Sequence, residues 1–247
     1  VTAASDDASA GYRPRDLNRH PKAHTPNYQS SIARSPRHAL IAVPPTLGDT
    51  TGPLFGHADV GPTDHDLLTN HAAAGQSAIG ERIILHGRVL DEDARPVPNT
   101  LVEIWQANAG GRYRHRRDSY LAALDPGFGG CGRTLTDADG RYRFHTVRPG
   151  AYPWPNVSDE WRPAHVHFSV FGSGFVQRLI TQCYFEGDPL VARCPIVATL
   201  PDADAVSGVT ARLDMDESVA FDSLAWRFDL VLRGRGATPF DNRPEGD

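Results

Sequence analysis

From Glu81 onward, apolar and polar residues alternate with a period close to two, and this pattern organises most of the chain. ERIILHGRVL (81–90) is followed by the turn-like DEDARPVPN and then by TLVEIWQAN, the outline of a paired strand unit. GRTLTDADGRYRFHTV, PAHVHFSVFG, LITQCYFEGD and AWRFDLVLRG continue the series. Side chains at i and i+2 of a strand share a face, so this alternation predicts strands that bury one side. DADG supplies an Asp-Gly hairpin turn between two such strands. It is not a calcium loop, because the bidentate acid needed at the twelfth loop position is absent. Asp202–Glu217 is expected to be a helix that interrupts the strands. Many short strands separated by turn signals predict a mainly β fold, an antiparallel sandwich or open barrel.

The first eighty residues read differently. HPKAHTPNYQSSIARSPRHALIAVPP is proline-punctuated and lacks apolar periodicity, which predicts extended chain. One short helix is expected around Ser35–Ile41, with Pro36 at a first helical position after a serine cap. GPTDHDLLTNH carries a second helix start, with Thr63 or Asp64 as its cap. Irregular arms of this length usually lie on a partner surface or line a site. The expected division is therefore an extended arm over 1–80 and a β domain over 81–247.

Composition narrows the function classes. The 247 residues carry a formal net charge of −5, with arginines scattered along the chain, which argues against a nucleic-acid binder. Three cysteines, Cys131, Cys183 and Cys194, form no CxxC pair, so neither a disulfide framework nor a structural zinc site is expected. Reduced thiols in the cytoplasm are the simpler reading. VTAASDDASAGYRPRD lacks a basic start followed by an apolar stretch and does not read as a secretory signal. No run approaches the ~20 apolar residues of a membrane span. The NVS triplet at Asn156 then reads as a chance match to a glycosylation sequon.

Chemistry concentrates in WRPAHVHF (161–168), where His165 and His167 stand two apart on a predicted strand. Their imidazoles share a face and could converge on one ion, although such a pair is more often a polar sheet face. Tyr152 in GAYPWP, Tyr113 in GRYRH and Arg162 keep them company. Each also has an ordinary reading: Tyr113 covering a surface turn, Tyr152 packing on prolines, Arg162 as an exposed strand-flank cation. As one set, two phenols and two imidazoles would suit Fe(III), because phenolate is a hard anionic donor freed only by a strongly acidic cation. Spacing alone does not join Tyr113 to the others. The polar cluster His57, Asp59, Asp64, His65 and Asp66 reads as helix capping and solvated loop rather than as a metal site.

Long strings supply the missing join. HPKAHTPNYQSSIARSPR, TGPLF, DHDLL, GERI, PVPNTLVEIWQANAGGRYRH, DPGFGG, YPWPN, WRPAHVHF, LITQCYFEGDP and FDLVLRG, spread over residues 13–235, resemble the β chains of the intradiol ring-cleaving dioxygenases that act on protocatechuate. The resemblance implies a prealbumin-like β-sandwich holding one non-haem Fe(3+) per chain, with Tyr113, Tyr152, His165 and His167 as metal ligands. It implies that Tyr152 yields its place to the substrate's catechol oxygens and serves as a base, while Arg162, with Gln182 beside it, stabilises developing negative charge. Tyr28 and Trp154 resemble substrate-pocket residues, with Arg162 close to the ring. The implied reaction is cleavage of protocatechuate by O2 to 3-carboxy-cis,cis-muconate, within the β-ketoadipate pathway. A homologous α chain is the implied partner in an α–β hetero-oligomer. PNVSDE, between Trp154 and Trp161, is looser than its flanks. The alternatives are a catechol or hydroxyquinol 1,2-dioxygenase, whose helical N-terminal dimerisation region has no counterpart in this proline-rich arm, and a non-catalytic prealbumin-like binding module.

Overall fold

Alternation does build the strands. In the computed structural model, which describes residues 20–22, 24–35, 38, 57–156, 159–171, 178–232, 234 and 236–239, the protein is mainly β with few short helices. The strands are β1 (Arg82–Leu90), β2 (Leu101–Gln106), β3 (Cys131–Leu135), β4 (Arg141–Val147), β5 (Tyr152–Pro155), β6 (Asp159–Arg162), β7 (His165–Phe171), β8 (Arg178–Phe185), β9 (Thr210–Val219), β10 (Ser223–Arg227) and β11 (Leu230–Val231). Helices α1 (Gln29–Arg34) and α2 (Ala203–Ser207) are each under two turns long. Among the described residues, no helix is long and apolar enough to cross a membrane.

Nine strands join in one nearly closed sheet. β4 pairs with one side of β1, and the path runs on from the other side through β10, β9, β8, β7 and β2 to β3, with β11 continuing alongside β1. Both halves of this path turn their aliphatic and aromatic positions inward. Leu85, Phe144 and Trp226 from one half and Ile104, Val166, Phe168 and Val170 from the other form a single core. Phe168 packs against Tyr142 and Phe228 with ring centroids 5.8 and 5.2 Å away. Each large side chain fully removed from water contributes roughly 1.5–3 kcal/mol. β5 and β6 form a separate two-stranded ribbon.

Several expectations need correction. Pairing is mixed rather than antiparallel throughout, because β10 and β11 run parallel to β1 and β9 runs parallel to β8. β1 and β2 do not pair with each other. Asp91 closes a local turn by accepting from the amides of Asp93 and Arg95, but Asn99 and Thr100 then bond to Thr136 and carry β2 toward β3. DADG is a turn, with Asp137 accepting from Asp139 and Arg141 and Gly140 at φ 71°, yet its flanking strands diverge, β3 to β2 and β4 to β1. It turns a corner instead of closing a hairpin.

The predicted helix at Asp202–Glu217 is real only for its first turn. Asp202 caps it by accepting from the Ala205 amide at 2.7 Å, Gly208 ends it, and the alternating TARLDMDESV becomes β9. No helix starts at Thr63 or Asp64. Asp64 bonds to the Gly61 amide and to Arg133, while His65 and Leu67 hydrogen-bond to His145 and extend the sheet beside β4. Most of Ser35–Ile41 lies outside the described residues. The helix observed is the preceding turn, Gln29–Arg34, and Ser35 is its C-terminal cap with extended backbone.

Candidate active site

The two faces of β7 divide the labour. Val166, Phe168 and Val170 enter the core, so His165 and His167 face outward. Register sets their neighbours: Tyr184 and Gln182 of β8 stand opposite His165 and His167, and Trp105 of β2 stands opposite His167 on the other side. Trp105 and His167 lie face to face, with centroids 4.8 Å apart and planes 2° from parallel. Trp105, His165, His167, Gln182 and Tyr184 thus form one patch on the outer sheet face.

The tyrosines arrive from elsewhere. Tyr113 sits in the long connection after β2, where Asn108 accepts from the amides of Gly110 and Arg112 at 2.9 Å each, and Asp118 accepts from the Tyr113 amide at 2.8 Å. Gly111 adopts φ 82°, and a Cβ there would lie 2.3 Å from the Ala151 carbonyl oxygen. Only glycine lets this loop cross so close to the chain entering β5. Tyr152 is the first residue of β5. The four expected ligands therefore meet. Tyr113 Oη and Tyr152 Oη each lie 3.4 Å from His165 Nε2, the two phenol rings are 5.6 Å apart edge to face, and the two imidazoles are 5.0 Å apart.

His165 Nδ1 lies 2.7 Å from the Pro163 carbonyl oxygen, which can only accept. The proton therefore sits on Nδ1, and the Nε2 lone pair is left facing the phenols. Burial, reinforced by the Arg162 charge, lowers the pKa of His165 far below its ordinary value and that of His167 to about 3. Both rings are neutral at physiological pH. Burial likewise pushes the Tyr113 and Tyr152 phenols upward. Among the described residues no three His, Cys, Asp or Glu side chains converge, so an ion held here draws half of its four side-chain donors from phenol oxygen. Two neutral imidazoles and two phenols that ionise only for a strongly acidic cation match the chemistry of a trivalent, hard ion.

Arg162 faces Tyr152 across the ribbon, where Tyr152 pairs with Arg162 and Trp154 with Glu160. Its guanidinium lies over the Trp154 ring, 5.5 Å from the centroid, and bonds to Gln182 and to Tyr184 Oη. Burial disfavours the charge, but Tyr184, Cys194, Tyr152 and Tyr113 around it raise its pKa on balance, so Arg162 stays cationic while only 4 % exposed. A cavity of about 840 Å³ opens between ribbon and sheet face, lined by Trp105, Tyr113, Tyr152, Trp154 and His167 among others. Tyr28 packs edge-on behind Trp154 at 5.5 Å, in a small cluster with Tyr184, Cys194 and Ile196. The arm is tied to the ribbon by Asn156, which accepts from the Gln29 amide and donates to the Asn27 carbonyl. Trp105 and Tyr184 were not singled out from the sequence. Gln182-x-Tyr184 repeats the two-residue spacing of His165-x-His167, and that signal would have pointed to Tyr184.

Two family descriptions match the chain: "Dioxygenase" over residues 50–234 and "Protocatechuate 3,4-dioxygenase beta subunit N terminal" over residues 13–46. The chain is 50% identical over 228 residues to the protocatechuate 3,4-dioxygenase beta chain of Burkholderia cepacia, covering 92% of this chain and 96% of that one. It is 32% identical over 206 residues to the protocatechuate 3,4-dioxygenase alpha chain of Pseudomonas putida, covering 80% and 96%. The fold is similar to that of 3-chlorocatechol 1,2-dioxygenase from Rhodococcus opacus 1CP, with a TM-score of 0.53 at 23% identity over 82% of this chain and 76% of that chain.

Proposed function

The chain belongs to the intradiol dioxygenase family, and from that premise we propose that it cleaves protocatechuate (3,4-dihydroxybenzoate) with O2 to 3-carboxy-cis,cis-muconate, in aromatic catabolism through the β-ketoadipate pathway. The observation that carries this reading is the meeting of Tyr113, Tyr152, His165 and His167 beside a buried, charged Arg162, with Tyr113, Tyr152 and His167 lining one cavity. Those four side chains would hold one Fe(3+) per chain. When bound, the ferric ion supplies a Lewis acid that engages the catechol oxygens and activates the ring toward O2.

The protein's own groups do the rest. Trp154 and Trp105 wall the cavity with apolar surface and keep water from the reacting ring, and the stack of Trp105 fixes the plane of His167. Tyr152 Oη, a weak acid and hence a strong base once ionised, takes a proton from a catechol hydroxyl. Arg162, a fixed cation in a dry site, stabilises the negative charge that develops on substrate oxygen, and Gln182 holds it there. Tyr28, packed edge-on against Trp154, backs the substrate wall.

Residues 1–80 act as an arm that lines the site and a partner, and 81–247 as the catalytic domain. A two-layered, prealbumin-like packing of the sheet is supported by the core shared between its two halves. Relatives named both beta and alpha chain support assembly with a homologous α chain into an α–β hetero-oligomer. Three cysteines without a disulfide suit the reducing cytoplasm. The test is oxygen uptake and product identification by the iron-loaded complex, with protocatechuate and plain catechol compared. Ring-opened 3-carboxymuconate from protocatechuate supports the proposal. Faster turnover of catechol assigns the chain to the 1,2-dioxygenases, and no ring opening of either substrate rejects the reading.

A further inference from the structure

Tyr184 makes contacts that the proposed activity does not by itself assign. It stands two residues beyond Gln182 on β8, on the outer face that carries His165 and His167. Its Oη lies 3.2 Å from Arg162 Nη2 and 3.0 Å from Gln182 Oε1, and Gln182 Oε1 is also in contact with the same Nη2. Guanidinium only donates and an amide oxygen only accepts, so every hydrogen in this triangle has one direction: Arg162 to Tyr184, Tyr184 to Gln182, Arg162 to Gln182. Arg162 and Gln182 are each 4 % exposed and Tyr184 is 2 % exposed. Cys194 Sγ, itself buried, stands 4.0 Å from the hydroxyl. Arg162 itself is carried by a ribbon of two short strands, whereas Gln182 and Tyr184 belong to a strand paired on both sides. Arg162 Nε, buried and without a hydrogen-bond partner among the described residues, is left uncommitted by the clamp.

We propose that Tyr184 is a positioning residue for ring cleavage: with Gln182 it locks one end of the Arg162 guanidinium to the sheet, so that the uncommitted edge is fixed where negative charge develops. This rests on the activity proposed above. A long side chain loses much of its freedom when clamped at two points, and an oriented cation stabilises a transition state without having to reorganise.

Tyr184→Phe tests it in the iron-loaded complex with the partner chain, because the ring that packs 5.9 Å from His165 is retained and only the hydroxyl is lost. The expected result is a kcat about tenfold lower, with KM and the anaerobic Kd for protocatechuate changed less than about threefold. In an Arg162→Lys background the same substitution should cost less than about twofold, since its effect travels through Arg162. A kcat within about twofold of wild type overturns the inference, as does a tenfold loss that persists undiminished in the Arg162→Lys background. A crystal structure of Tyr184→Phe gives a readout independent of turnover: a displaced guanidinium supports the clamp, and an unmoved one refutes it. If the wild-type complex opens no ring, the activity reading fails, and that structure still judges the clamp.

Discussion

Tyr113 and Tyr152 approach the same imidazole nitrogen from two different elements, and that convergence separates this site from a polar sheet face. Tyr152→Phe is expected to retain iron, to alter the visible band and to slow catechol binding, because the internal base is gone. Stopped-flow absorbance under nitrogen measures it, and loss of the fold would instead make the residue structural. Trp105→Ala removes the stack on His167, a contact worth about 0.5–1.5 kcal/mol beyond area burial. Iron should then bind several-fold more weakly, as a chelator competition would read out, with the thermal midpoint lowered as well by the lost packing. At this scale much was legible. The two tyrosines and two histidines that meet, Arg162 and Gln182 can all be named from residue strings, whereas Tyr184 and Trp105 need the register of β2, β7 and β8, which no local pattern specifies.

Elements were legible where one face is buried and obscure where pairing is long-range. β1, β2, β7 and β8 follow from alternation, yet alternation does not say which strand neighbours which, and so the expected β1–β2 and β3–β4 hairpins give way to β1–β4 and β2–β3 pairing. Asp202 caps one real helical turn, but Ala211, Leu213 and Met215 alternate with Arg212, Asp214 and Asp216, the strand pattern of β9. Two glycines show how elements are held against each other. A Cβ on Gly87 would lie 1.9 Å from the Phe228 carbonyl oxygen, where β1 meets the start of the β11 segment. Gly87→Ala should destabilise the fold by about 2 kcal/mol or more while leaving the spectrum of any folded fraction unchanged. Gly111→Ala should do both kinds of damage, lowering stability and shifting the visible band, because it pushes the Tyr113 loop away from Tyr152. Thermal denaturation and absorption spectra taken on both variants separate the two cases.

Acid should loosen the fold through its buried histidines, outside the cavity as well as at the site. Burial lowers the pKa of His86 from 6.5, with Asp214 and Glu217 opposing and Arg143 and Arg227 reinforcing the shift. His145 is lowered in the same way, with Asp66 opposing. The folded state then binds fewer protons than the unfolded chain, so the contribution to stability is complete above about pH 6.5 and is lost as the pH falls below it. Thermal midpoints should hold steady between pH 8 and 7 and decline toward pH 5, with a shallower decline in His86→Gln. An equal slope in that variant would mean that His86 carries none of the effect. The chain alone should give less than the full activity of the α–β complex, and a fully active monomer would contradict the partner proposal. If two phenols and two imidazoles share one ferric ion, the visible absorption spectrum of the iron-loaded protein must show it. A broad phenolate-to-iron charge-transfer band, changed by protocatechuate under nitrogen and altered in both Tyr113→Phe and Tyr152→Phe, is the predicted result. A protein that carries one iron per chain and shows no such band would contradict it.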